Sequence, residues 1–284
     1  MSFFLESNRI RYIYDILDMV CSVVTSTTIH IKEDGLYISD MDSSHVSFIH
    51  LELDKSDFVR YNTIFNNGES SIVIGISLSE LVKIIKTGIN NERIVLEYKD
   101  SNKLNIIFNG CGLTRRYKLP LLDIESSNLA IPSMDYPLEL EISSKLFNNI
   151  IQSIEITGTE AILFKINNKT LQIESEIDHT DSAIQVCFDK REEFITKNKH
   201  RIQPGNKTLV LDKYKELIYR LDSCEGSFQS VFNLNKIKLF SKAYSLSPTI
   251  MCNISNNYPI RLDYELNEMG SVLYYYISPK INEC

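Results

Sequence analysis

The chain has 284 residues, of which 43% are apolar and 24% charged, and its formal net charge is −7 at pH 7. This composition is typical of a globular protein and excludes one that grips nucleic acid over its whole surface. No apolar run approaches the roughly 18 residues of a membrane span, and no signal-peptide pattern opens the chain, so we expect no membrane association.

The first half, residues 1–118, begins with an amphipathic helix at 9–24 and contains a second at 78–87. The second helix opens with Ser77 and Glu80 in capping-box spacing and stops at Gly88. Alternating or apolar runs between turn residues predict the strands 36–39, 46–53, 71–76, 93–99, 103–109 and 114–118.

A segment without a sustained period, LPLLDIESSNLAIPSMDY at 119–136, follows the first half. It contains two prolines and matches neither a helix nor a strand pattern. We interpret it as an extended connecting segment between two domains.

The second half, residues 137–284, repeats the order of helix, strands, helix and strands. Its predicted helices are 143–154 and 234–245, and Asn233 is the expected N-cap of the latter. The predicted strands are 160–166, 171–177, 183–188, 227–232, 249–254, 260–266 and 272–277. The sequence therefore predicts an α+β protein of two similar β-rich domains.

Motifs for known catalytic chemistry are absent: there is no Walker-type loop, no nucleophile elbow and no H-E-x-x-H helix. The six cysteines (21, 111, 187, 224, 252 and 284) lack a C-x-x-C spacing, so neither zinc nor disulfides are expected and a reducing intracellular compartment fits. Asp42, Ser44 and His45 are residue types of a hydrolase triad, but triad partners meet through the fold rather than by adjacency. We expect no catalytic residue, metal or cofactor.

Five ordered segments resemble the proliferating cell nuclear antigen family of DNA sliding clamps. The segments are MDSSHVS at 41–47, GISLSELVKIIK at 75–86, LAIPSMDY at 129–136, PIRLDYELNEMG at 259–270 and YYYISPKI at 274–281. Together they cover both halves and the connection between them. The resemblance implies a processivity factor without an active site, which encircles duplex DNA and recruits replication and repair proteins.

The family fold implies two domains per subunit, with two helices each on the inside of a ring and sheets on the outside. Three subunits would close head to tail by pairing edge strands, so we expect a homotrimer. By position, the edges are Thr114–Lys118 and Ala183–Phe188. The interface residues predicted in this way are Thr114, Arg116, Lys118, Ile184 and Val186.

The resemblance also assigns a DNA-facing surface to the polar sides of the helices. Lysines match or lie beside the basic positions of the family, although Lys83 and Lys86 taken alone are better explained as complementing a helix C-terminus. Two arginine positions of the family are occupied by Asn149 and Gln152, which hydrogen-bond phosphate without neutralising it. The predicted DNA-facing residues are Lys83, Lys86, Lys238, Lys242, Asn149, Gln152 and Arg11.

Partners of family clamps dock a short peptide with one aliphatic and two aromatic anchors. The residues carried over to the predicted pocket are Met41, His45, Val46, Phe48, Leu129, Ile131, Tyr136, Pro259, Tyr276, Ile277, Ser278 and Pro279. The apolar members could instead be ordinary core residues. The implied partners are DNA polymerase, a clamp loader, ligase and nuclease.

One segment, 189–222, makes the second half longer than the first and carries eight Lys or Arg between Lys190 and Lys215. We interpret it as a solvated surface insertion, and an added contact for DNA or a loader is the alternative. The other readings of the chain are a subunit of a heterotrimer and a clamp-like viral transcription or scaffold factor. The expected location is the nucleus for a cellular protein and the viral replication site for a viral one.

Overall fold

The computed structural model divides the chain into two compact units, Met1–Ile131 with Glu265–Tyr274, and Pro132–Tyr264 with Tyr275–Cys284. It describes residues 1–66, 68–90, 93–99, 101–110, 112–124, 134, 136, 138–167, 170–175, 185–189, 208–211, 217–221, 228–256 and 258–280.

The first unit contains two helices and nine strands. In chain order they are β1 Ser2–Ser7, α1 Ile10–Cys21, β2 Ser26–Lys32, β3 Gly35–Met41, β4 Ser47–Asp54, β5 Arg60–Ile64, β6 Ser71–Ser77, α2 Leu78–Lys86, β7 Arg93–Lys99, β8 Lys103–Gly110 and β9 Leu113–Pro120. The strands pair antiparallel in the orders β5-β1-β7-β8-β9 and β4-β3-β2-β6.

The second unit repeats this arrangement with one extra strand. Its elements are β10 Leu138–Ser143, α3 Ser144–Glu155, β11 Ala161–Asn167, β12 Thr170–Ser175, β13 Gln185–Asp189, β14 Thr208–Leu211, β15 Leu217–Leu221, β16 Phe228–Asn233, α4 Leu234–Ser241, β17 Thr249–Ile254, β18 Ile260–Glu265 and β19 Val272–Ile277. The last residue of β18 and the first three residues of β19 group with the first unit. The strand orders are β14-β15-β10-β17-β18-β19 and β13-β12-β11-β16. Apart from β14, each strand has a topological counterpart in the first unit, which confirms the predicted α+β architecture.

The helices form because their apolar residues recur at helical spacing and can pack on the sheets. Ile10, Ile13 and Val20 of α1 are buried, as are Leu78, Leu81 and Ile85 of α2. In the second unit, α3 buries Phe147 and Ile151, and α4 buries Ile237 and Phe240. In each unit the two helices also contact each other, and their opposite faces remain available to solvent.

Two details at the helix ends differ from the sequence-based prediction. The Ser77 side chain makes no capping hydrogen bond to the α2 backbone, and its Oγ lies 3.2 Å from the Oγ of Ser79 instead. Gly88 is required by close packing, because a Cβ there would lie 2.0 Å from the Phe108 ring. The predicted cap of α4 is confirmed, since Asn233 Oδ1 accepts hydrogen bonds from the backbone of Asn235 and Lys236.

Several strands were not predicted, namely β1, β2, β5, β10, β14 and β15. The last two lie within the segment 189–222 that the sequence assigns to a surface insertion, and β15 pairs with β10 along its whole length. The predicted end of the insertion at residue 222 is therefore wrong, because β15 is the counterpart of β5. The additional residues of the second half lie before β15. Residues 265–274, which the sequence assigns to the second domain, group with the first unit through hydrogen bonds from Asn267 and Ser271 to Asp57.

Candidate functional site

The four helices concentrate positive charge in a chain that is acidic as a whole. Counting the short 3₁₀ turn Lys242–Ser245 that extends α4, they carry seven cationic and four acidic side chains. The cationic residues are Arg11, Lys83, Lys86, Lys145, Lys236, Lys238 and Lys242, and the acidic ones are Asp15, Asp18, Glu80 and Glu155. The helices are therefore net positive, although the whole chain has a charge of −7.

Most predicted DNA-facing residues lie on exposed helix faces. Lys83 and Lys86 are exposed in the last turn of α2, and Lys242 is exposed directly after α4. Asn149 and Gln152 are exposed on α3 and offer neutral hydrogen-bonding groups. These positions can contact phosphates without reading base sequence.

Two of the predicted cations are already paired with acids. The Nε of Arg11 donates to the Asp15 carboxylate at 2.9 Å, one helical turn away. Lys238 forms an ion pair with Glu155 at the end of α3. Because both partners are at least partly exposed, each pair is weak and exchangeable. The charge available from these two cations is thus lower than the sequence suggests.

The segment Asp42–Ser47 forms a tight turn between β3 and β4. Asp42 is buried, and its Oδ1 accepts hydrogen bonds from the backbone of Val46 and Ser47 at 2.9 and 3.0 Å. Its Oδ2 accepts a 2.6 Å hydrogen bond from Ser44 Oγ. His45 has a left-handed φ of 53°, an uncommon conformation outside glycine. The carboxylate organises this turn, and the serine bonds to the acid rather than to the histidine.

The turn presents part of the predicted partner pocket in the first unit. His45 is exposed, Met41 and Val46 are partly exposed, and Phe48 is buried. Met41 and Phe48 are paired across β3 and β4. Phe48 is thus mainly a core residue, whereas His45 and Val46 offer side-chain surface.

In the second unit, Tyr136 and Pro259 of the predicted pocket lie in contact. The Tyr136 hydroxyl donates a 3.2 Å hydrogen bond to the carbonyl of Pro259. Burial raises the pKa of the Tyr136 hydroxyl, so it stays protonated and remains a donor at neutral pH. Pro259, Ser278 and Pro279 are partly exposed, whereas Tyr136, Tyr276 and Ile277 are largely buried.

Arg261 was not predicted from the sequence, although it lies beside this group. Its guanidinium carbon is 5.2 Å from the centre of the Tyr136 ring, within the range of a cation–π contact. Its Nε donates to both oxygens of Asp263, at 2.9 and 3.1 Å. The signal in the sequence is Arg and Asp two positions apart on a strand, where alternate residues share a face. Such a spacing is common on solvent-exposed strands, so the sequence alone does not distinguish Arg261 and Asp263 from an ordinary surface pair.

The predicted subunit-interface residues fall on two strands that end their sheets. Thr114, Arg116 and Lys118 are exposed on β9, the last strand of the order β5-β1-β7-β8-β9. Val186 belongs to β13, the last strand of the order β13-β12-β11-β16. Ile184, like the pocket residues Leu129 and Ile131, lies outside the described residues.

In the part of the chain that the structure describes, no group of three or more His, Cys, Asp or Glu side chains could hold a metal ion. None of the described helices is both long and apolar enough to cross a membrane.

Comparison with known proteins gives consistent matches over both units. The model of the N-terminal domain of proliferating cell nuclear antigen matches residues 8–128, and that of the C-terminal domain matches residues 205–280. The chain is 26% identical to a DNA polymerase sliding clamp of Methanococcus maripaludis over 267 residues, 94% of each chain. It is 26% identical to a DNA polymerase sliding clamp of Methanothermobacter thermautotrophicus over 264 residues, 93% of this chain and 92% of the relative.

The fold resembles that of a solved structure as well. The crystal structure of proliferating cellular nuclear antigen from Entamoeba histolytica matches with a TM-score of 0.78 and 18% identity, covering 98% of this chain and 99% of the other. At this identity the match concerns the fold alone.

Proposed function

The chain belongs to the proliferating cell nuclear antigen family, and we propose that it acts as a DNA polymerase sliding clamp, a homotrimeric ring that encircles duplex DNA. The observation that carries the DNA-binding part of this proposal is the segregation of charge. The helices are net positive, and the chain as a whole is at −7. A ring with such helices on its inner face would attract phosphates to that face.

The proposed contacts with DNA are few and independent of sequence. Lys83, Lys86 and Lys242 would approach phosphates directly, and Asn149 and Gln152 would donate neutral hydrogen bonds. Each neutralised phosphate adds a salt-dependent increment to the affinity. A small number of such contacts suits sliding, since enclosure of the duplex prevents escape while weak contacts exchange quickly.

The proposed subunit contact is the pairing of β9 of one chain with β13 of the next. Both strands end their sheets, so each offers backbone groups on one side for pairing with another chain. Thr114, Arg116 and Lys118 would lie on one side of the interface, and Ile184 and Val186 on the other. This contact joins two different surfaces, and three copies would close it into a ring.

The proposed partners are proteins that carry a clamp-interacting peptide, namely polymerase, clamp loader, ligase and nuclease. We assign to peptide docking the exposed or partly exposed His45, Met41 and Val46 of the first unit. In the second unit we assign Tyr136, Pro259, Tyr276, Ile277, Ser278 and Pro279, and from the connecting segment Leu129 and Ile131. Phe48 would support this surface from beneath. No chemical step is assigned to the chain, so its role is to hold other enzymes on DNA.

Two measurements test this proposal. Solution mass should be about three times 32.7 kDa for a homotrimer. DNA synthesis on a primed circular template, by a DNA polymerase that uses clamps of this family, should become more processive when the chain and a clamp loader are added. A monomeric mass, or assembly only with other chains, would contradict the homotrimer. A trimer that leaves synthesis unchanged would favour a scaffold or transcription role.

A further inference from the structure

An ion pair joins the two helices of the second unit. The ammonium group of Lys238 on α4 contacts Oε1 of Glu155, the last residue of α3. The side chains are 30% and 43% exposed, so both remain accessible to a ligand from solution. Lys238 is one of the DNA-facing residues predicted from the sequence, and the Glu155 carboxylate lies directly against it.

The position of Glu155 relative to Lys238 is held by the packing of the helices. The Oγ of Ser241 on α4 donates a 3.1 Å hydrogen bond to Oδ1 of Asn148 on α3, and both residues are buried. Ile237 and Phe240 of α4 are fully buried, and so is Ile151 of α3. Glu155 can therefore change its rotamer, but its backbone cannot move away from Lys238 without repacking the helix pair.

The first unit provides an internal comparison. Helices α1 and α3 both have 12 residues and occupy equivalent places in their units, so Cys21 is the counterpart of Glu155. Burial and Asp18 raise the pKa of the Cys21 thiol, and the nearby Lys83 ammonium opposes that shift. Lys83 thus lies near a residue that is uncharged at neutral pH. Among the described residues it has no ion-pair partner within 4 Å.

We propose that Glu155 limits how strongly the second unit holds DNA, because its carboxylate competes with phosphate for Lys238. This inference rests on the proposed function. A phosphate that takes Lys238 must displace the carboxylate and then remain beside a like charge, which offsets the gain. The same lysine without its acid would behave as a full phosphate contact. Glu155 thereby keeps the affinity of the helices for DNA low enough for the protein to move along the duplex.

The test is a salt titration of duplex binding by the full chain. Affinity for a fluorescein-labelled 30-base-pair duplex would be measured by anisotropy between 50 and 200 mM NaCl. The proteins are the wild type, Glu155→Gln, Lys238→Ala, the double variant Glu155→Gln/Lys238→Ala, and Lys83→Ala as the matched control. Glutamine keeps the shape of the glutamate side chain, and thermal unfolding would check that each variant folds.

The expected result follows from counterion release, in which one phosphate contact adds about 0.9 to the slope of log affinity against log salt. Glu155→Gln should therefore increase the ratio of affinities at 50 and 200 mM by about 3.5-fold over the wild type. Lys83→Ala should decrease this ratio by a similar factor. Lys238→Ala should change it little, and the double variant should return to the wild-type value.

The outcomes separate this inference from the proposed function. If Lys83→Ala reduces the salt dependence while Glu155→Gln leaves it unchanged, the role of Glu155 is wrong and the DNA-facing assignment stands. If Glu155→Gln strengthens binding equally in the presence and absence of Lys238, its effect does not act through that lysine, and the inference is also overturned. If no variant differs from the wild type, the DNA-facing assignment fails and the inference fails with it.

Discussion

The hydroxyl of Ser271 donates a 2.5 Å hydrogen bond to Oδ2 of Asp57, although the two residues are 214 positions apart in the sequence. Asp57 is only 4% exposed and also accepts hydrogen bonds from Arg9 and Asn267, each at 2.9 Å. The Oγ of Ser271 in turn accepts a hydrogen bond from the backbone of Asp54. This network explains why residues 265–274 belong to the first unit, and the sequence offers no pattern that would link such distant positions.

Substituting Ser271 should destabilise the first unit. Ser271→Ala removes one donor to a buried carboxylate and leaves the Asp54 amide without its acceptor. We expect the free energy of unfolding to fall by about 2 kcal/mol, within the range for hydrogen bonds to charged groups. Urea unfolding measures this change. Ser101→Ala is the control, because its exposed hydroxyl donates to the nearby Lys103 carbonyl and not to a buried charge. Equal losses for both variants would contradict the role of Ser271.

Asp263 should give the second unit a specific dependence on pH. Burial raises the pKa of this carboxyl to about 6, even though Arg261 and Asn253 bond to its charged form. The protonated form is thus favoured by folding. The stabilisation from this group is complete below pH 4 and is lost as the pH rises through 6, a difference of about 3 kcal/mol.

Asp263→Asn isolates that contribution, because asparagine cannot ionise. The wild type should lose stability relative to the variant between pH 4 and pH 7, as measured by urea unfolding at several pH values. The absolute stability of the variant is not informative, since Arg261 loses its partner. A difference in the free energy of unfolding that stays constant over this pH range would show that burial does not raise the pKa of Asp263.

Val46 should contribute to peptide docking if the assignment of the 41–48 segment is correct. Val46→Ala removes two methyl groups from a partly exposed side chain, and we expect binding of a clamp-interacting peptide to weaken about fivefold, or about 1 kcal/mol. Val59→Ala is the control, because Val59 is 56% exposed in the same unit and belongs to no predicted site. Isothermal titration calorimetry measures the affinity of each variant for the peptide. Equal affinities would contradict the assignment of Val46 to the peptide-docking surface.

Gly75 should be intolerant of any side chain because the start of the connecting segment lies against it. The backbone of Leu122 donates a 2.9 Å hydrogen bond to the Gly75 carbonyl, and a Cβ on Gly75 would lie 2.2 Å from the carbonyl oxygen of Leu122. Gly75→Ala should therefore detach this segment from β6 and lower the free energy of unfolding by about 1–3 kcal/mol. Val73→Ala on the same strand, where the side chain is exposed, should cost less than about 0.5 kcal/mol. Comparable losses in the two variants would exclude a special role for Gly75.

The sequence predicted the helices well because each buries a stripe at helical spacing, and this period is strong over 8 to 12 residues. It missed β5 because that strand, RYNTI, lies at the end of its sheet and alternates between exposed and partly exposed residues, without buried apolar positions. It missed β15 because the strand lies close to the charged segment 190–215, whose composition is typical of a loop. β10 has the alternating pattern of a half-buried strand, with Leu138, Leu140 and Ile142 buried, and was therefore predictable from the sequence.

The candidate site was predictable only in part, since side-chain partners depend on the fold. The lysines of α2 and α4 could be assigned to exposed faces from helical spacing alone. The pairing of Lys238 with Glu155 could not, because the two residues are 83 positions apart and meet only when α3 packs on α4. The family resemblance identified the Asp42–Ser47 segment, whereas the structure shows how the Asp42 carboxylate shapes its turn.

Enclosure of DNA is the central claim, and its most direct test compares circular with linear templates. The chain would be loaded by a clamp loader and ATP onto a nicked circular plasmid, and the complex separated by gel filtration in 0.5 M NaCl. If the ring encircles DNA, the protein should stay with the circle at this salt concentration and be released after a single cut linearises the plasmid. Dissociation from the intact circle at this salt, or retention after linearisation, would contradict the account.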